Sequence, residues 1–419
     1  MNVWLITVGE PLPIDSSNAR LMRTGLLARQ LLEQGHGVVW WSSAFDHFRK
    51  KNREYSESEL PLFGTGRLQL LQANPYQKNV SLARLRNHYR LGREFTRLAQ
   101  QREKPDVVVC SMPTIELSLA AVRYGKKNGI PIVLDIRDLW PDIFLNLAPT
   151  VFRPVARALL TPYFLMLEEA CRDASAIFGI TEEIVEWGVK YSSRPRNHHW
   201  DRAFPLAYSH KTPESADVEN GFEFWRNLGI VQGHSLKVFS FVGTMGRQLD
   251  LSSITEPIRR MVDSDSNLRF VFCGDGERLP ELRQRFQDNP AVLLPGRVGF
   301  AEIWTLLRMS NAGLIPYKDT EDFRMSIPNK VVEYLSAGAP VISSLSGTTQ
   351  KLLQENSCGI SFFDGRQFTE ACSVLAEPQK KAPFSIAATK TYENFFVAEK
   401  VYANMISLLE DIASAKEQE

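Results

Sequence analysis

Short apolar runs alternate with longer amphipathic stretches along most of this chain. The first run, NVWLITV at residues 2–8, ends at Gly9 and precedes a segment in which apolar side chains recur at helical spacing up to Gly35. A second apolar run, VVWWSS, follows at once. A strand, a helix and a second strand in this order are typical of a right-handed βαβ unit in a parallel sheet that is covered on both faces.

The same alternation continues through two blocks of the sequence. The first block predicts further strands at 106–111, 130–138 and 174–181, with helices at 114–128 and about 150–172. The pattern loosens over 182–234 and then restarts, with strands at 236–243, 268–276, 291–296, 311–317 and 339–344 and helices at 252–263, 278–286, 300–309 and 328–337. We therefore predict an α/β protein with two doubly wound parallel-sheet domains, 1–205 and 206–395, and a final helix at 396–419 that packs back toward the first domain.

The composition is that of an ordinary soluble globular protein. Of the 419 residues, 44% are hydrophobic and 23% are charged, and the formal net charge is +1. Residues 1–205 carry 27 Lys and Arg against 21 Asp and Glu, so the first domain is basic and the remainder acidic. The five cysteines lack CxxC spacing, and no segment is long and apolar enough to cross a bilayer. We expect a cytoplasmic protein, free or peripheral on a membrane surface.

Glycines end several predicted strands, at the edge of a parallel sheet where ligands bind. Gly9 follows the first strand, and Gly243, Gly274, Gly276 and Gly296 follow three consecutive strands of the second domain. Three such turns favour a nucleotide site in the second domain, although tight turns alone also explain single glycines. The sequence has neither GxGxxG nor GxxxxGK followed by Ser or Thr, which disfavours dehydrogenases and P-loop kinases.

The segment SIPNKVVEYLSAGAPVI, residues 326–342, places charged side chains within an apolar helix and strand. Ser326 is predicted to cap the helix, so that the N–H groups of Asn329 and Lys330 form an anion site. Glu333, one turn further, has only acceptor oxygens and suits a vicinal diol such as a ribose. The alternative is that Glu333 is a solvated glutamate of the first turn and Lys330 a surface charge.

These segments resemble the retaining glycosyltransferases of family 4, which have the GT-B fold of two facing Rossmann-like domains. The resemblance spans nearly the whole chain and is carried by GHGVVWW, VLDIRDLWPD, ASAIFGITEEIVEW, FVGTMG, FVFCGDGE, LLPGRV and, most specifically, SIPNKVVEYLSAGAPVI. RDLWP and the last segment are especially similar to the branch that builds bacterial surface polysaccharides, including fucosamine transferase-like proteins. The resemblance implies that Glu333 binds the donor ribose. The family's preceding glutamate falls on Met325, which departs from the family pattern at the donor sugar.

The resemblance also implies roles for other side chains. The expected donor-binding residues lie at strand ends or at the start of the 328–337 helix: Gly9, Gly243, Thr244, Gly274, Arg297, Val298, Asn329 and Glu333. Arg247 and Lys330 are expected to neutralise the leaving diphosphate, and the base is expected near Arg297 and Val298. Asp138 is expected to orient the acceptor hydroxyl or to stabilise the positive sugar. Its alternatives are a helix cap or a salt bridge with Arg137.

The acceptor is expected on the basic first domain. Four arginines recur at helical spacing on one face of a predicted helix: Arg86, Arg90, Arg93 and Arg97. Such a face suits anionic lipid or the pyrophosphate of a polyprenyl-linked acceptor, and a solvated helix face is the alternative. Arg137 is expected to pair with phosphate, and Trp140 either stacks on a sugar or only packs.

The implied function is transfer of a sugar, with retention of its anomeric configuration, from a nucleotide diphosphate sugar, with UDP the expected nucleotide. The expected acceptor is a polyprenyl-diphosphate-linked or other glycan in O-antigen, capsule or exopolysaccharide synthesis, on the inner face of the cytoplasmic membrane. We expect no metal or other cofactor and no nucleic-acid partner. Two alternatives stay open: a nucleotide-sugar 2-epimerase, which shares two Rossmann-like halves, and a catalytically silent scaffold of a polysaccharide assembly complex, which the Met325 departure favours.

Overall fold

The computed structural model describes residues 1–415 apart from 17–19, 56, 80, 210–211, 232, 234 and 288. The chain forms two compact units: unit 1 comprises Met1–Pro205 with Glu399–Glu419, and unit 2 comprises Leu206–Ala398. The C-terminal helix therefore belongs to unit 1. There the Gln30 side-chain amide donates to the Glu399 carbonyl at 2.9 Å, and His36 lies 3.4 Å from Glu410.

Unit 1 alternates strands with helices along the chain. Its strands are β1 (Asn2–Ile6), β2 (Gly37–Ser43), β3 (Phe45–Asp46), β4 (Lys51–Asn52), β5 (Glu59–Leu62), β6 (Gly66–Leu71), β7 (Val107–Met112), β8 (Ile132–Ile136), β9 (Ala176–Gly179) and β10 (Arg202–Ala203). Its helices are α1 (Arg23–Glu33), α2 (Leu82–Ala99), α3 (Ile115–Asn128), α4 (Asp142–Leu147), α5 (Arg153–Asp173) and α6 (Glu182–Ser192), with a 3-10 turn at Thr150–Phe152.

Strands also alternate with helices along unit 2. Its strands are β11 (Lys237–Val242), β12 (Leu268–Cys273), β13 (Val292–Gly296), β14 (Ala312–Ile315), β15 (Val341–Ser343) and β16 (Gly359–Ser361). Its helices are α7 (Ser215–Asn227), α8 (Thr255–Ser264), α9 (Leu279–Arg285), α10 (Phe300–Met309), α11 (Glu321–Arg324), α12 (Asn329–Ser336), α13 (Thr348–Glu355), α14 (Gly365–Ala376) and α15 (Pro378–Phe395). The final helix, α16 (Ala398–Ala415), returns to unit 1.

Each unit is organised by one doubly wound sheet. The strand order is β10-β9-β8-β7-β1-β2-β6-β5 in unit 1 and β13-β12-β11-β14-β15-β16 in unit 2. Only β5 runs antiparallel to its neighbour within these two sheets. The winding reverses between β1 and β7 and between β11 and β14, and such switch points leave a crevice at the carboxyl ends of the strands where ligands bind. The predicted fold class is confirmed.

Two segments differ from the sequence prediction. The stretch 182–234, expected to be loose, contains α6 and α7. The hairpin of β5 and β6 was not predicted, because β5 is short and contains Pro61. Proline is tolerated there because β5 is the edge strand, where a missing N–H interrupts no ladder.

Tyr334 of α12 bridges β11 and β14 at the switch point of unit 2. The paired residues of β11 and β14 are Phe239 with Ala312 and Ser240 with Gly313, so the ladder stops before either strand ends. The buried Tyr334 hydroxyl then accepts from the Val242 N–H at 3.0 Å and faces the Leu314 carbonyl at 3.4 Å. A Cβ atom at Gly313 would overlap the Tyr334 ring. The phenol therefore replaces the missing ladder and fixes α12 against both strands.

Replacing Tyr334 with Phe should lower the free energy of unfolding by about 1–3 kcal/mol, because it leaves a buried N–H and a buried carbonyl without their partner. Tyr402→Phe is the matched control. The Tyr402 hydroxyl is also buried but has no hydrogen-bond partner in the described part of the chain, so its removal should cost nothing. Calorimetric unfolding of both variants measures the difference. Equal losses in the two variants, or none in Tyr334→Phe, would contradict the bridging role.

Candidate active site

Lys330 lies at the switch point of the unit 2 sheet. Its ammonium nitrogen is 5.8 Å from the centre of the Phe241 ring in β11 and 5.9 Å from that of Tyr317, just after β14. Gly243 has a φ of +142°, which favours glycine, and a Cβ atom there would displace the end of the Lys330 side chain. Within the described residues, no carboxylate lies within ion-pair distance of Lys330. Its charge is available to an anion at the strand ends.

The start of α12 differs from the prediction in its capping. Pro328, not Ser326, occupies the N-cap position, and no side chain caps the helix. The Ser326 hydroxyl instead donates to a main-chain carbonyl of α11 at 2.8 Å, because Ser326 closes that preceding helix. Asn329 is exposed and Lys330 contacts Gly243, so the positive end of the helix dipole lies beside this turn.

Glu333 is buried on the next turn of α12, with 6% of its surface exposed, which excludes a solvated surface glutamate. One carboxylate oxygen accepts from the Tyr208 hydroxyl at 3.3 Å. The carboxylate lines a cavity of about 20 Å³ together with Ile303 and Leu307 of α10. This volume holds about one water molecule. The Tyr208 hydroxyl thus occupies one of the acceptor positions of Glu333 that a diol would use.

Arg308 and Trp304 of α10 line the same cavity and were missed by the sequence analysis. The guanidinium carbon of Arg308 lies 3.3 Å from the centre of the Trp304 ring. Burial lowers the pKa of Arg308 to about 10. Their i, i+4 spacing in the helix after LLPG was the available signal. The pair adds a positive charge and an aromatic face beside Glu333.

The glycine loops after β11 and β12 pack against each other. A Cβ atom at Gly274 would overlap the Gly243 carbonyl, so Gly274 serves the contact between the loops. Arg247 is 87% exposed and pairs with Glu277 at 3.0 Å. Arg297, after β13, is 83% exposed and lies 3.6 Å from Asp275. The roles predicted for both arginines stay predictions, and Lys330 has the more enclosed position.

The neighbouring donor positions lie at the same strand ends. Thr244 is exposed directly after Gly243, and Val298 packs partly against the unit 2 core. Met325 follows α11 as its C-cap residue. It places a thioether where a carboxylate was expected from the family pattern.

In unit 1, Gly9 and Asp138 line one cavity of about 170 Å³. Gly9 follows β1 and Asp138 follows β8, so the cavity lies at the carboxyl edge of the sheet, next to the switch point between β1 and β7. Asp138 is exposed. The structure thus brings the predicted Asp138 to a place where a ligand is expected in a doubly wound fold.

Arg137 belongs to a buried ion network and not to an open anion site. Its guanidinium pairs with Glu10 and, at 2.8 Å, with Asp135, which Arg23 also contacts at 2.8 Å. Burial alone would raise the pKa of Asp135, but the charges of Arg23 and Arg137 hold it at about 2. Among the described residues, the ion pairs of Arg137 are those with Glu10 and Asp135, and not the alternative one with Asp138. The network was not visible in the sequence because its members are far apart along the chain.

Trp140 is 7% exposed and packs within unit 1. The Arg84 guanidinium lies 4.6 Å from the centre of its ring, and Phe144 meets it edge-on at 4.6 Å. A sugar therefore has no open Trp140 face, and the packing alternative describes this residue. The Trp140-Pro141 peptide bond is cis.

The four arginines predicted on one face of α2 are all exposed: Arg86, Arg90, Arg93 and Arg97. Arg97 pairs with Glu94 at 2.8 Å, and Arg90 donates to the Asn74 side chain at 2.6 Å. Arg93 lies 6.0 Å from the centre of the Tyr89 ring. This face is compatible with the solvated alternative and with an anionic surface.

No group of three or more His, Cys, Asp or Glu side chains among the described residues is placed to hold a metal ion. None of the helices in that part of the chain combines the length and apolarity needed to span a membrane. Metal independence stays a prediction.

Part of unit 2 is similar to known glycosyltransferases. Residues 236–377, within unit 2, match the family model described as Glycosyl transferases group 1. A protein of Bacillus subtilis (strain 168), named as the teichuronic acid biosynthesis glycosyltransferase TuaH, is 26% identical over 144 residues. That match covers 32% of this chain and 35% of the relative's length.

The fold is shared over the whole chain with solved glycosyltransferase structures. Sucrose-phosphate synthase from Thermosynechococcus elongatus superposes with a TM-score of 0.71 at 14% identity, covering 99% of both chains. Anabaena HepE, in complex with UDP-glucose, superposes with a TM-score of 0.64 at 13% identity, covering 100% of both chains. The fold is GT-B, and the family match and the relative support a glycosyltransferase.

Proposed function

We propose that this GT-B protein transfers a sugar from a nucleotide diphosphate sugar, most simply a UDP-sugar, to a glycan acceptor with retention of configuration. The carrying observation is the position of Lys330 against Gly243 at the β11/β14 switch point, with the buried Glu333 one turn along the same helix. The match of 236–377 to a glycosyltransferase family and the UDP-glucose bound by Anabaena HepE support this reading. The resemblance of residues 326–342 to family 4 supports retention.

Donor binding divides between two contacts on α12. The diphosphate meets the Lys330 ammonium and the first N–H groups of the helix, where its charge is favoured. The ribose diol donates to Glu333 and replaces the Tyr208 hydroxyl, which now bonds one of the carboxylate oxygens. The base then lies toward α10, within reach of Val298 and the Arg308–Trp304 pair.

Catalysis follows from where charge develops. As the bond to the anomeric carbon breaks, negative charge accumulates on the leaving diphosphate and positive charge on the sugar. A fixed cation and a helix N-terminus beside the diphosphate therefore stabilise the transition state more than the bound donor. Arg247 adds a second positive charge at the same edge, and no metal is needed for this neutralisation. In unit 1, Asp138 orients the acceptor hydroxyl.

The acceptor is proposed to be a polyprenyl-diphosphate-linked or other glycan of bacterial surface polysaccharide synthesis. The teichuronic acid role in the name of the Bacillus relative supports this class. Peripheral attachment to the inner face of the cytoplasmic membrane is proposed from an apolar surface on unit 1. Its side chains are 58–83% exposed and lie near Arg153: Val151, Phe152, Val155 and Leu159.

UDP should raise the melting temperature of the protein, and Glu333→Gln and Lys330→Met should each weaken or abolish the shift. Glu333→Gln removes the carboxylate that accepts from the ribose diol. Lys330→Met removes the positive charge that meets the diphosphate. At a concentration 100 times the Kd, UDP should add about 2.7 kcal/mol to the free energy of unfolding of the wild-type protein. A thermal-shift series with UDP, GDP, ADP and CMP measures it and identifies the nucleotide.

Glu355→Gln is the matched control, because Glu355 is an exposed glutamate on the nearby helix α13. It should leave the shift intact. Stabilisation by none of the four nucleotides would contradict the proposed transferase and favour the silent scaffold. Stabilisation that Glu333→Gln and Lys330→Met both leave unchanged would place the nucleotide elsewhere.

The protein should sediment with anionic phosphatidylglycerol vesicles at low salt, since basic and apolar side chains act together at such a surface. Phe152→Ser combined with Leu159→Ser should raise the fraction left in the supernatant. Ile386→Ser with Phe395→Ser, which removes exposed apolar side chains of unit 2, is the matched control. Equal recovery in the supernatant with neutral and anionic vesicles would contradict the proposed attachment.

A further inference from the structure

The 170 Å³ cavity of unit 1 is lined by histidine, tyrosine and arginine side chains. Its lining combines residues at the carboxyl ends of β1, β2, β7 and β8 with His47, Tyr76, Arg84 and His88. All of these residues belong to unit 1. The volume is that of about five or six water molecules, enough for a diphosphate or one sugar ring.

Arg84 brings a charge into this cavity without an ionic partner. Its guanidinium donates to His88 Nε2 at 3.3 Å and to the Asn79 carbonyl at 2.8 Å, and it covers the Trp140 ring. Within the described residues no carboxylate lies within ion-pair distance of Arg84, although Asp138 lines the same cavity. Burial lowers the pKa of the guanidinium. Asp138 and Glu116 oppose this lowering through their charges from beyond ion-pair distance, so Arg84 is held by neutral contacts and forms no direct ion pair within the described residues.

Lys50 places a second cation beside two residues that line the cavity. Its ammonium nitrogen lies 4.8 Å from the centre of the Tyr76 ring and 3.5 Å from His47 Nδ1, and it donates to the Asn79 side chain at 2.5 Å. No described carboxylate pairs with it either. Burial, together with the positive charges of Lys50 and Arg84, lowers the pKa of His47 to about 4.

A buried or half-buried cation without a counterion is costly unless a ligand supplies the charge. Other guanidinium groups of unit 1 are neutralised within the protein: Arg23 and Arg137 by Asp135, Arg53 by Asp15 and Arg194 by Asp201. Arg84 differs from these in lining a cavity, and Lys50 differs in contacting two residues that line it. The difference favours a ligand of negative charge at this cavity.

We propose that this cavity binds the anionic group of the acceptor, a phosphate or a carboxylate, through Arg84 and Lys50, with Asn87, Tyr76 and the histidines available to its hydroxyl groups. Asp138 in the same cavity then faces the hydroxyl that receives the sugar. The assignment rests on the proposed function only in naming the ligand as the acceptor. The anion site itself is independent of donor binding.

The proposal moves the anion from the exposed face of α2 to its inner side. Arg86 and Arg84 are two positions apart, so they point to different sides of the helix. The exposed arginines can be predicted from the sequence because they recur at helical spacing. Arg84 is recognisable only once Tyr76, Trp140 and His88 are seen around it.

The test titrates the full-length protein with two probes, inorganic pyrophosphate and glucuronate, by calorimetry in the presence of saturating UDP. At least one probe should bind, and Arg84→Gln should weaken that binding by about tenfold or more, as expected for loss of a charge-assisted hydrogen bond. Lys50→Met should weaken it several-fold and serves as the second variant if Arg84→Gln lowers the melting temperature. Binding of pyrophosphate alone indicates a diphosphate-linked acceptor, and binding of glucuronate alone indicates an acidic sugar.

Two controls separate this site from the donor site. Arg86→Gln, an exposed arginine of the same helix, should leave probe binding unchanged. Lys330→Met should also leave probe binding unchanged, whether or not this variant binds UDP. Arg84→Gln should leave the UDP thermal shift intact. The proposal is overturned if neither probe binds, if Arg84→Gln and Lys50→Met bind as the wild-type protein does, or if Arg86→Gln weakens binding equally.

Discussion

The contact between Tyr334 and the parting strands β11 and β14 is the constraint on which the unit 2 site depends. The phenol satisfies a buried N–H where the ladder has stopped, and Gly313 gives its ring the space it needs. Tyr334 thereby anchors α12 to both strands. Lys330, one turn earlier, must lie over the Gly243 turn, and Glu333 must face α10. One buried hydroxyl thus sets the positions of both charged side chains assigned to the donor.

Charge is treated differently in structural and ligand-facing places. Arg23, Asp135 and Arg137 are buried together and neutralise one another, which is the arrangement that buried ions require. Lys330 and Arg84 are held instead by aromatic rings and neutral polar groups, with no carboxylate partner in the part of the chain that the structure describes. Each of these two cations is therefore held in place without forming an ion pair. This contrast, more than the number of basic residues, separates candidate binding groups from structural ones.

The sequence predicted the architecture well because apolar strands buried on both faces leave a strong local pattern. It failed where the determining contact is distant along the chain. Arg137 looked available for phosphate until Glu10 and Asp135 were seen beside it, and Ser326 looked like a cap although it closes α11. Glu333 and Lys330 were predicted as candidates from their spacing, but that Glu333 is buried follows only from the side chains of α10 and from Tyr208, which surround it. Arg84 gave no local signal at all.

A crystal structure of the protein with UDP tests the central claim most directly. The account predicts the β-phosphate within about 3 Å of the Lys330 ammonium. It also predicts the ribose hydroxyls on the Glu333 carboxylate, with the Tyr208 hydroxyl displaced from it. UDP bound away from the β11/β14 switch point, or a ribose that leaves the Tyr208–Glu333 hydrogen bond in place, would contradict the account.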